Sequence, residues 1–158
     1  MKTLVVGLGN PILGDDGVGW KVAENVKAHI SPYAGVEVDC LSLGGINLME
    51  RLIGYERAIL IDALISDEKL GSISVSELDS IPDYSAFHIA SAHDTSLQNA
   101  MKLGRGLGVE LPEEVIVVGI AAGHVYDFSE ELSPPVAAAI PKATQMVVDL
   151  VTQKITVH

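Results

Sequence analysis

The sequence predicts an α/β fold, a three-layer α/β/α sandwich with a mostly parallel twisted sheet. Two observations indicate this class. Short, continuous runs rich in β-branched residues recur along the chain, and such runs are typical of strands that are buried on both faces of a parallel sheet. Segments with apolar residues at helical spacing lie between these runs. Strands and helices that alternate in this way build a sheet with helices on both sides.

The N-terminal third of the chain holds the clearest strand and helix patterns. Residues 1–8 form an apolar run closed by glycines, which predicts the first strand. Apolar residues at helical spacing over residues 18–30 predict an amphipathic helix after it. Residues 36–43 alternate loosely as a second strand, and residues 46–53 form a short helix that carries several large apolar side chains.

The middle of the chain contains one strong and one weak strand pattern. Residues 58–61 are the most apolar strand candidate, and the strand is predicted to end at Asp62. The carboxylate of Asp62 is therefore expected to be about half desolvated. Residues 72–78 alternate between apolar and polar side chains like an edge strand.

The C-terminal half predicts two helices and a last buried strand. A helix over residues 97–103 can be capped by one of residues 94–96, and the glycines that follow are expected to end it. Residues 115–120 form the strand. A long helix over residues 136–155 follows two prolines that suit its first turn, and Pro141 should kink this helix or reset its start.

The composition bounds the size and the partners of the protein. The 158 residues, 48% of them hydrophobic, suffice for one sizeable core, and residues 1–158 are interpreted as a single domain. Ten basic residues against 21 acidic ones give a formal charge of −11, which repels a phosphate backbone. Nucleic acid and anionic membrane surfaces are therefore not expected as partners.

Several features favour a monomeric cytoplasmic protein. No apolar run reaches the roughly 18 residues that a bilayer-spanning helix needs, and residues 1–10 lack the pattern of a secretory signal. The single cysteine, Cys40, cannot form an internal disulfide and is expected to pack as a small apolar residue. No sustained heptad repeat indicates an obligate assembly.

Three polar side chains are expected at the carboxyl ends of the strands, where α/β sheets bind ligands. Asp16 follows the first strand, Asp62 follows the most apolar run, and His93 opens a predicted helix. Two carboxylates and one imidazole form an oxygen-rich set that accepts a borderline divalent ion and leaves coordination positions open. These residues are therefore interpreted as a candidate metal site.

Each of the three residues also has an ordinary structural role open to it. Asp16 can cap the helix that follows, although capping gives no reason for the adjacent Asp15. Asp62 can turn the chain at a strand end, yet burying a carboxylate is costly without a partner. His93 can be a helix-terminus histidine held by Asp94.

Other candidate residues carry weaker signals. His124 and Asp127 lie in a polar loop at the same edge and could contact substrate, but a solvated loop is the favoured interpretation. Ser42 and Ser72 lack the G-x-S-x-G elbow of a serine nucleophile.

Two glycine-rich patterns near the N-terminus lack residues that the motifs they resemble require. A dinucleotide-binding G-x-G-x-x-G motif that begins at Gly7 would need its third glycine at Ile12. The opening GLGNP also resembles that of peptidyl-tRNA hydrolases, but the catalytic histidine of that family is missing from the stretch that follows, and the acidic charge suits a tRNA partner poorly.

The opening resembles the endopeptidases that mature [NiFe] hydrogenases. Their signature is a strand followed by GxGNxxxxD(D/E)GxG, which residues 7–10 and 15–19 match. Further matches are an apolar strand that ends at Asp62, a small residue followed by His93 and Asp94 before a helix, and Leu-Ser-Pro at residues 132–134 before the last helix. The predicted sandwich resembles the phosphorylase/hydrolase-like fold.

This resemblance implies a function and a site. In that family, the positions of Asp16, Asp62 and His93 form a metal-binding triad that recognises nickel already inserted into the precursor of the hydrogenase large subunit. The protease then removes the C-terminal extension of this precursor, once per substrate molecule. Nickel is thus implied as a metal carried by the substrate, for which another divalent ion could substitute in vitro. Our own hypothesis is that one of the two carboxylates, with Asp16 preferred, activates water as general base.

Two departures and two alternatives accompany the resemblance. Several members carry Glu in place of Asp16, and many have a glycine- and threonine-rich turn where this chain has residues 41–44. One alternative is a non-catalytic nickel- or precursor-binding maturation factor, which would keep the triad and cut nothing. The other is a peptidyl-tRNA hydrolase.

Overall fold

The computed structural model describes residues 2–30, 35–81, 96–123, 125 and 127–152. In this part of the chain there are one five-stranded sheet and four α-helices. The strands are β1 (Thr3–Leu8), β2 (Val36–Leu41), β3 (Arg57–Leu64), β4 (Ile73–Glu77) and β5 (Glu114–Ala121). The helices are α1 (Val18–Ile30), α2 (Gly45–Arg51), α3 (Leu97–Gly106) and α4 (Pro134–Val151), and two 3-10 turns span Gly14–Gly17 and Leu78–Ser80.

The sheet is mostly parallel, as predicted. Its strand order is β2-β1-β3-β5-β4, in which β1 pairs with both β2 and β3, and β3 pairs with β5, all in parallel. The strand β4 runs antiparallel to β5 at one edge. The weakly alternating segment is therefore the edge strand that its pattern indicated.

Helices cover both faces of the sheet. Alternate residues of a strand point to opposite faces. Val5, Ile59 and Ile116 share a buried cluster with residues of α1 and α4. Leu60 and Val117, their neighbours along the chain, share the second buried cluster with residues of α2 and α3. These two cores give the predicted three layers.

The prediction that the third strand ends at Asp62 is wrong. β3 continues to Leu64 because β5 supplies backbone partners along its whole length, with Asp62 opposite Gly119 and Leu64 opposite Ala121. Asp62 thus lies inside a central strand. Its side chain is completely buried, where the sequence predicted partial exposure.

The helix over residues 97–103 ends among the glycines that follow it, as predicted. α3 passes through Gly104 and ends at Gly106. A Cβ at Gly104 would lie 2.9 Å from Leu111 Cδ1 and 3.3 Å from Met49 Sδ, so this glycine lets α3 pack closely against α2. Of the three cap candidates at residues 94–96, Ser96 caps the helix, since its side chain accepts a hydrogen bond from the backbone N–H of Asn99.

The last helix is continuous across its internal proline. Pro134 and Pro135 occupy its first turn, as predicted, because the backbone N–H groups there have no partner within the helix. Pro141 does not reset the start, and α4 runs on to Val151. The predicted end at residue 155 lies outside the described residues. Across the described ranges, none of the helices combines the length and apolar character that a bilayer crossing requires.

Candidate functional site

The strand order creates a topological switch point between β1 and β3. From β1 the chain passes through α1 to β2 on one side, and then through α2 to β3 on the other side of β1. Connections that diverge in this way leave a crevice beyond the carboxyl ends of the two strands, which is where open α/β sheets bind ligands. Asp16 and Asp62 belong to this end of the sheet.

Asp16 lies in the 3-10 turn Gly14–Gly17, directly after β1 and before α1. Its Oδ2 accepts a hydrogen bond of 2.8 Å from the backbone N–H of Asn10, which closes the loop between β1 and the turn. Gly9 makes this close approach possible. Its φ is +133°, and a Cβ there would lie 1.9 Å from the Asp16 carbonyl oxygen. The Asp16 side chain is 1% exposed.

Asp62 lies beside the same turn. It is two residues beyond Leu60 on β3 and so points toward the layer of α2 and α3. The 3-10 turn lies within 8 Å of β3, measured between Cα atoms. A Cβ at Gly19 would lie 2.4 Å from the Ile61 carbonyl oxygen, so only glycine lets the start of α1 pack against this part of β3. The structure therefore brings Asp16 and Asp62 to the same end of two neighbouring strands.

Two buried carboxylates at one end of a sheet have a clear electrostatic consequence. Removing a carboxylate from water costs several kcal/mol unless hydrogen bonds or a cation compensate. In a medium of low dielectric constant the attraction between a carboxylate and a cation is also stronger than in water. The arrangement of Asp16 and Asp62 can thus hold or sense a divalent cation and orient a water molecule.

The third predicted member of the site, His93, lies outside the described residues, as does His124. Among the residues that the structure does describe, no group of three or more His, Cys, Asp or Glu side chains could hold a metal ion. The site with His93 as its third ligand therefore stays a prediction. Asp127 is exposed in the loop after β5.

Asp15 has a role that the sequence did not reveal. Its Oδ1 accepts a hydrogen bond of 2.6 Å from the Ser133 backbone N–H, and its Oδ2 accepts one of 2.7 Å from the Ser133 hydroxyl. A third bond, of 3.2 Å, comes from the backbone N–H of Gly123. Asp15, which is completely buried, thereby ties the 3-10 turn to the loop after β5 and to the start of α4.

Comparisons with known proteins identify the family. The family model of HycI, hydrogenase maturation protease, matches residues 20–150. The chain belongs to the hydrogenase maturation protease family. It is therefore a peptide-bond hydrolase.

Individual relatives agree with this family. The hydrogenase expression/formation protein HupD of Thiocapsa roseopersicina is 25% identical over 152 residues, which are 96% of this chain and 68% of that protein. A putative hydrogenase maturation protease of Methanocaldococcus jannaschii is 28% identical, over 91% of this chain and 92% of that protein.

Solved structures of maturation peptidases share the fold. The hydrogenase maturating endopeptidase HybD from E. coli superposes with a TM-score of 0.78 at 22% identity, over 98% of this chain and 94% of that chain. The hydrogenase 2 maturation peptidase from a Thaumarchaeota archaeon has a TM-score of 0.64 at 29% identity, over 98% and 97% of the two chains. The mostly parallel sandwich is thus the fold of known maturation peptidases.

The only cysteine of this maturation protease is not suited to be its nucleophile. Cys40 lies on β2, and its thiol is 3.8 Å from the Trp20 carbonyl oxygen. Burial, reinforced by Glu24 and Asp39, raises the pKa of the Cys40 thiol to about 11. Because the thiolate is the reactive form, a thiol that stays protonated is a poor nucleophile. The packing role that the sequence predicts agrees with this, since Cys40 packs against the core between the sheet and α1.

Proposed function

We propose that this protein removes the C-terminal extension of a [NiFe] hydrogenase large-subunit precursor after nickel insertion. In this proposal, Asp16, Asp62 and His93 sense the nickel that the precursor carries and form the catalytic site. The nickel is part of the substrate. The family supports the coarser activity, hydrolysis of a peptide bond in hydrogenase maturation.

One observation carries the proposal for the site. Asp16 and Asp62 are both buried, at 1% and 0% exposure, at the carboxyl ends of β1 and β3 on either side of the switch point. Carboxylate oxygens and an imidazole nitrogen are suitable ligands for nickel, and three protein ligands leave coordination positions for groups of the precursor. Binding the precursor through its own metal would hold the scissile bond at a fixed place.

With the scissile bond held in place, the protein has to supply only a proton acceptor for the attacking water molecule. Asp16 accepts a proton from a water molecule, whose oxygen attacks the carbonyl carbon of the scissile bond. The C–N bond breaks, the leaving amine takes up a proton, and the products are a new carboxyl terminus and the released extension. Precursor without nickel is not held in this geometry and is not cut.

The test is to incubate the purified protein with cognate precursor that contains or lacks nickel, and to weigh the large subunit by mass spectrometry. We expect loss of the extension only from the nickel-loaded precursor. Asp16→Asn, Asp62→Asn and His93→Ala should each abolish processing. Asp67→Asn, which changes an exposed aspartate five residues after Asp62, is the matched control and should process normally.

Two results would contradict the proposal. If the three variants process nickel-loaded precursor at the normal rate, the site is assigned wrongly. If the unmodified protein binds the precursor and cuts it under neither condition, the protein is a non-catalytic nickel- or precursor-binding factor.

A further inference from the structure

Two large apolar side chains are exposed beside the turn that carries Asp16. Ile12 is 47% exposed and Phe128 is 85% exposed. A phenylalanine in water gains nothing for the folded state, because the hydrophobic contribution to folding comes from apolar area that is removed from water. The exposure of these two side chains is therefore not explained by the stability of the folded chain.

Backbone hydrogen bonds place the two residues next to each other. The Ser129 N–H donates to the Ile12 carbonyl at 2.9 Å, and the Gly14 N–H donates to the Ser129 carbonyl at 2.7 Å. These bonds form a parallel bridge between Leu13 and Ser129. Ile12 and Phe128 each precede a bridge residue by one position, so they are neighbours in register. We call this pair of side chains the apolar lip.

The apolar lip is held in place by the two adjacent aspartates. The loop with Ile12 is closed at its base by the bond from the Asn10 N–H to Asp16 Oδ2. The loop with Phe128 is closed at its base by Asp15, which accepts hydrogen bonds from Gly123 at one end and Ser133 at the other. The lip is thus fixed relative to Asp16, and a fixed surface loses little conformational entropy when it binds a partner.

The charge around the lip indicates what kind of segment it takes. Asp127, Glu130 and Glu131 are exposed next to Phe128 in the sequence, and residues 121–133 contain no lysine or arginine. A partner segment with basic residues beside an apolar one would be attracted, and an acidic segment would be repelled.

We propose that the apolar lip binds an apolar side chain, flanked by basic residues, in the precursor segment next to the bond that is cut. This inference rests on the proposed function. Ile12 and Phe128 are then specificity determinants that contact substrate without taking part in bond breaking, so they contribute to binding of the precursor and of the transition state alike.

The experiment compares Phe128→Ser and Ile12→Ser with the unmodified protein in cleavage of nickel-loaded cognate precursor. Losing the burial of one large apolar side chain should raise KM by about 10- to 100-fold for Phe128→Ser, and less for Ile12→Ser, while kcat stays unchanged. Thermal unfolding of both variants should match the parent. Leu107→Ser is the control, since Leu107 is 74% exposed in the loop that leads toward the opposite end of β5 and should change neither constant.

A second measurement separates this inference from the proposed function. Binding of immobilised precursor to the unmodified protein and to Phe128→Ser is measured by biolayer interferometry. If the unmodified protein binds and does not cut, the proposed function fails, and weaker binding by Phe128→Ser still supports the lip. Equal binding, or equal KM values, overturns it. A dimer of the unmodified protein that Phe128→Ser dissociates in sedimentation experiments overturns it as well, because the lip would then bind a second copy of this chain.

Discussion

The two ends of the sheet carry acidic residues in opposite ways. At the carboxyl end, Asp16 and Asp62 are buried at the switch point. At the amino end, carboxylates surround two open grooves of about 370 and 320 Å³, both of which are lined by Glu113 and Glu114. Both grooves thus lie away from the buried carboxylates of Asp16 and Asp62.

The two ends differ in how their carboxylates are hydrated. Carboxylates in an open groove keep most of their hydration, and exposed ion pairs contribute little to stability. Arginines also accompany them, with Arg57 Nε at 3.4 Å from Glu114 Oε1 and Arg105 in the wall of the larger groove. Water and arginines therefore compensate the carboxylates at the amino end, whereas the carboxylates buried at the carboxyl end depend on partners that compensate their loss of hydration.

The largest expected effect is a difference in cleavage rate between variants at the two ends of the sheet. Asp62→Asn should lower the rate of precursor cleavage by at least about 100-fold, because a ligand or proton acceptor is lost. Glu114→Gln at the amino end should leave the rate unchanged. Cleavage is followed by mass spectrometry, and circular dichroism checks that both variants fold. A slow Glu114→Gln together with an active Asp62→Asn would reverse the assignment of the two ends.

The next effect separates two neighbouring carboxylates at the carboxyl end. Asp15→Asn should lower the free energy of unfolding by about 3 kcal/mol. An amide cannot accept all three hydrogen bonds, and its NH₂ group would face N–H or O–H groups that are themselves donors. Ser133→Ala removes one of these bonds and should cost about 1 kcal/mol. Urea denaturation measures both. If Asp15→Asn is as stable as the parent, the anchoring role of Asp15 is wrong.

At the amino end, the expected effect is on stability alone. Arg57 is buried, and its guanidinium donates a hydrogen bond of 2.5 Å to the Leu150 carbonyl near the end of α4. Arg57→Met should therefore lower the free energy of unfolding by about 2 kcal/mol. The cleavage rate per folded molecule should not change. A variant that is stable but inactive would show that the amino end takes part in catalysis.

The smallest effect concerns Cys40 on β2, away from both sets of carboxylates. With the pKa of its thiol raised to about 11, the thiolate fraction rises only as the pH approaches that value. At pH 8 alkylation by iodoacetamide should be about 200-fold slower than for a free cysteine, and it should accelerate steadily up to pH 10. Mass spectrometry of the intact protein follows the reaction. Labelling at pH 8 as fast as that of free cysteine would contradict the buried, protonated thiol.

The elements of the fold could be predicted because their signals are local. The β-branched runs and the helical spacing of residues 18–30 depend on neighbouring residues, and the structure confirms the strands and helices that they indicate. Element ends were less predictable. The extension of β3 past Asp62 depends on pairing with β5, and the passage of α3 through Gly104 depends on packing against Met49 and Leu111. Neither contact is visible in the local sequence.

The candidate site could be predicted only in part, for a similar reason. The rule that ligands bind at the carboxyl ends of strands selected Asp16 and Asp62. Capping gave no reason for Asp15, because the hydrogen-bond partners of Asp15 are far away in the sequence. His93 stays a prediction, because it lies outside the described residues.

The hydrogen bonds between Asp15 and Ser133 also affect the order in which the protein folds during synthesis. The two residues are 118 positions apart, so the anchor of the 3-10 turn leaves the ribosome long after the turn itself. Contacts between such distant residues form late, since the chain between them must be closed first. The turn that carries Asp16 therefore reaches its final position only when the start of α4 has been synthesised. A shortened chain that lacks Ser133 and α4 would thus leave Asp15 without two of its hydrogen bonds, and the turn that carries Asp16 would lose this tie to the rest of the fold.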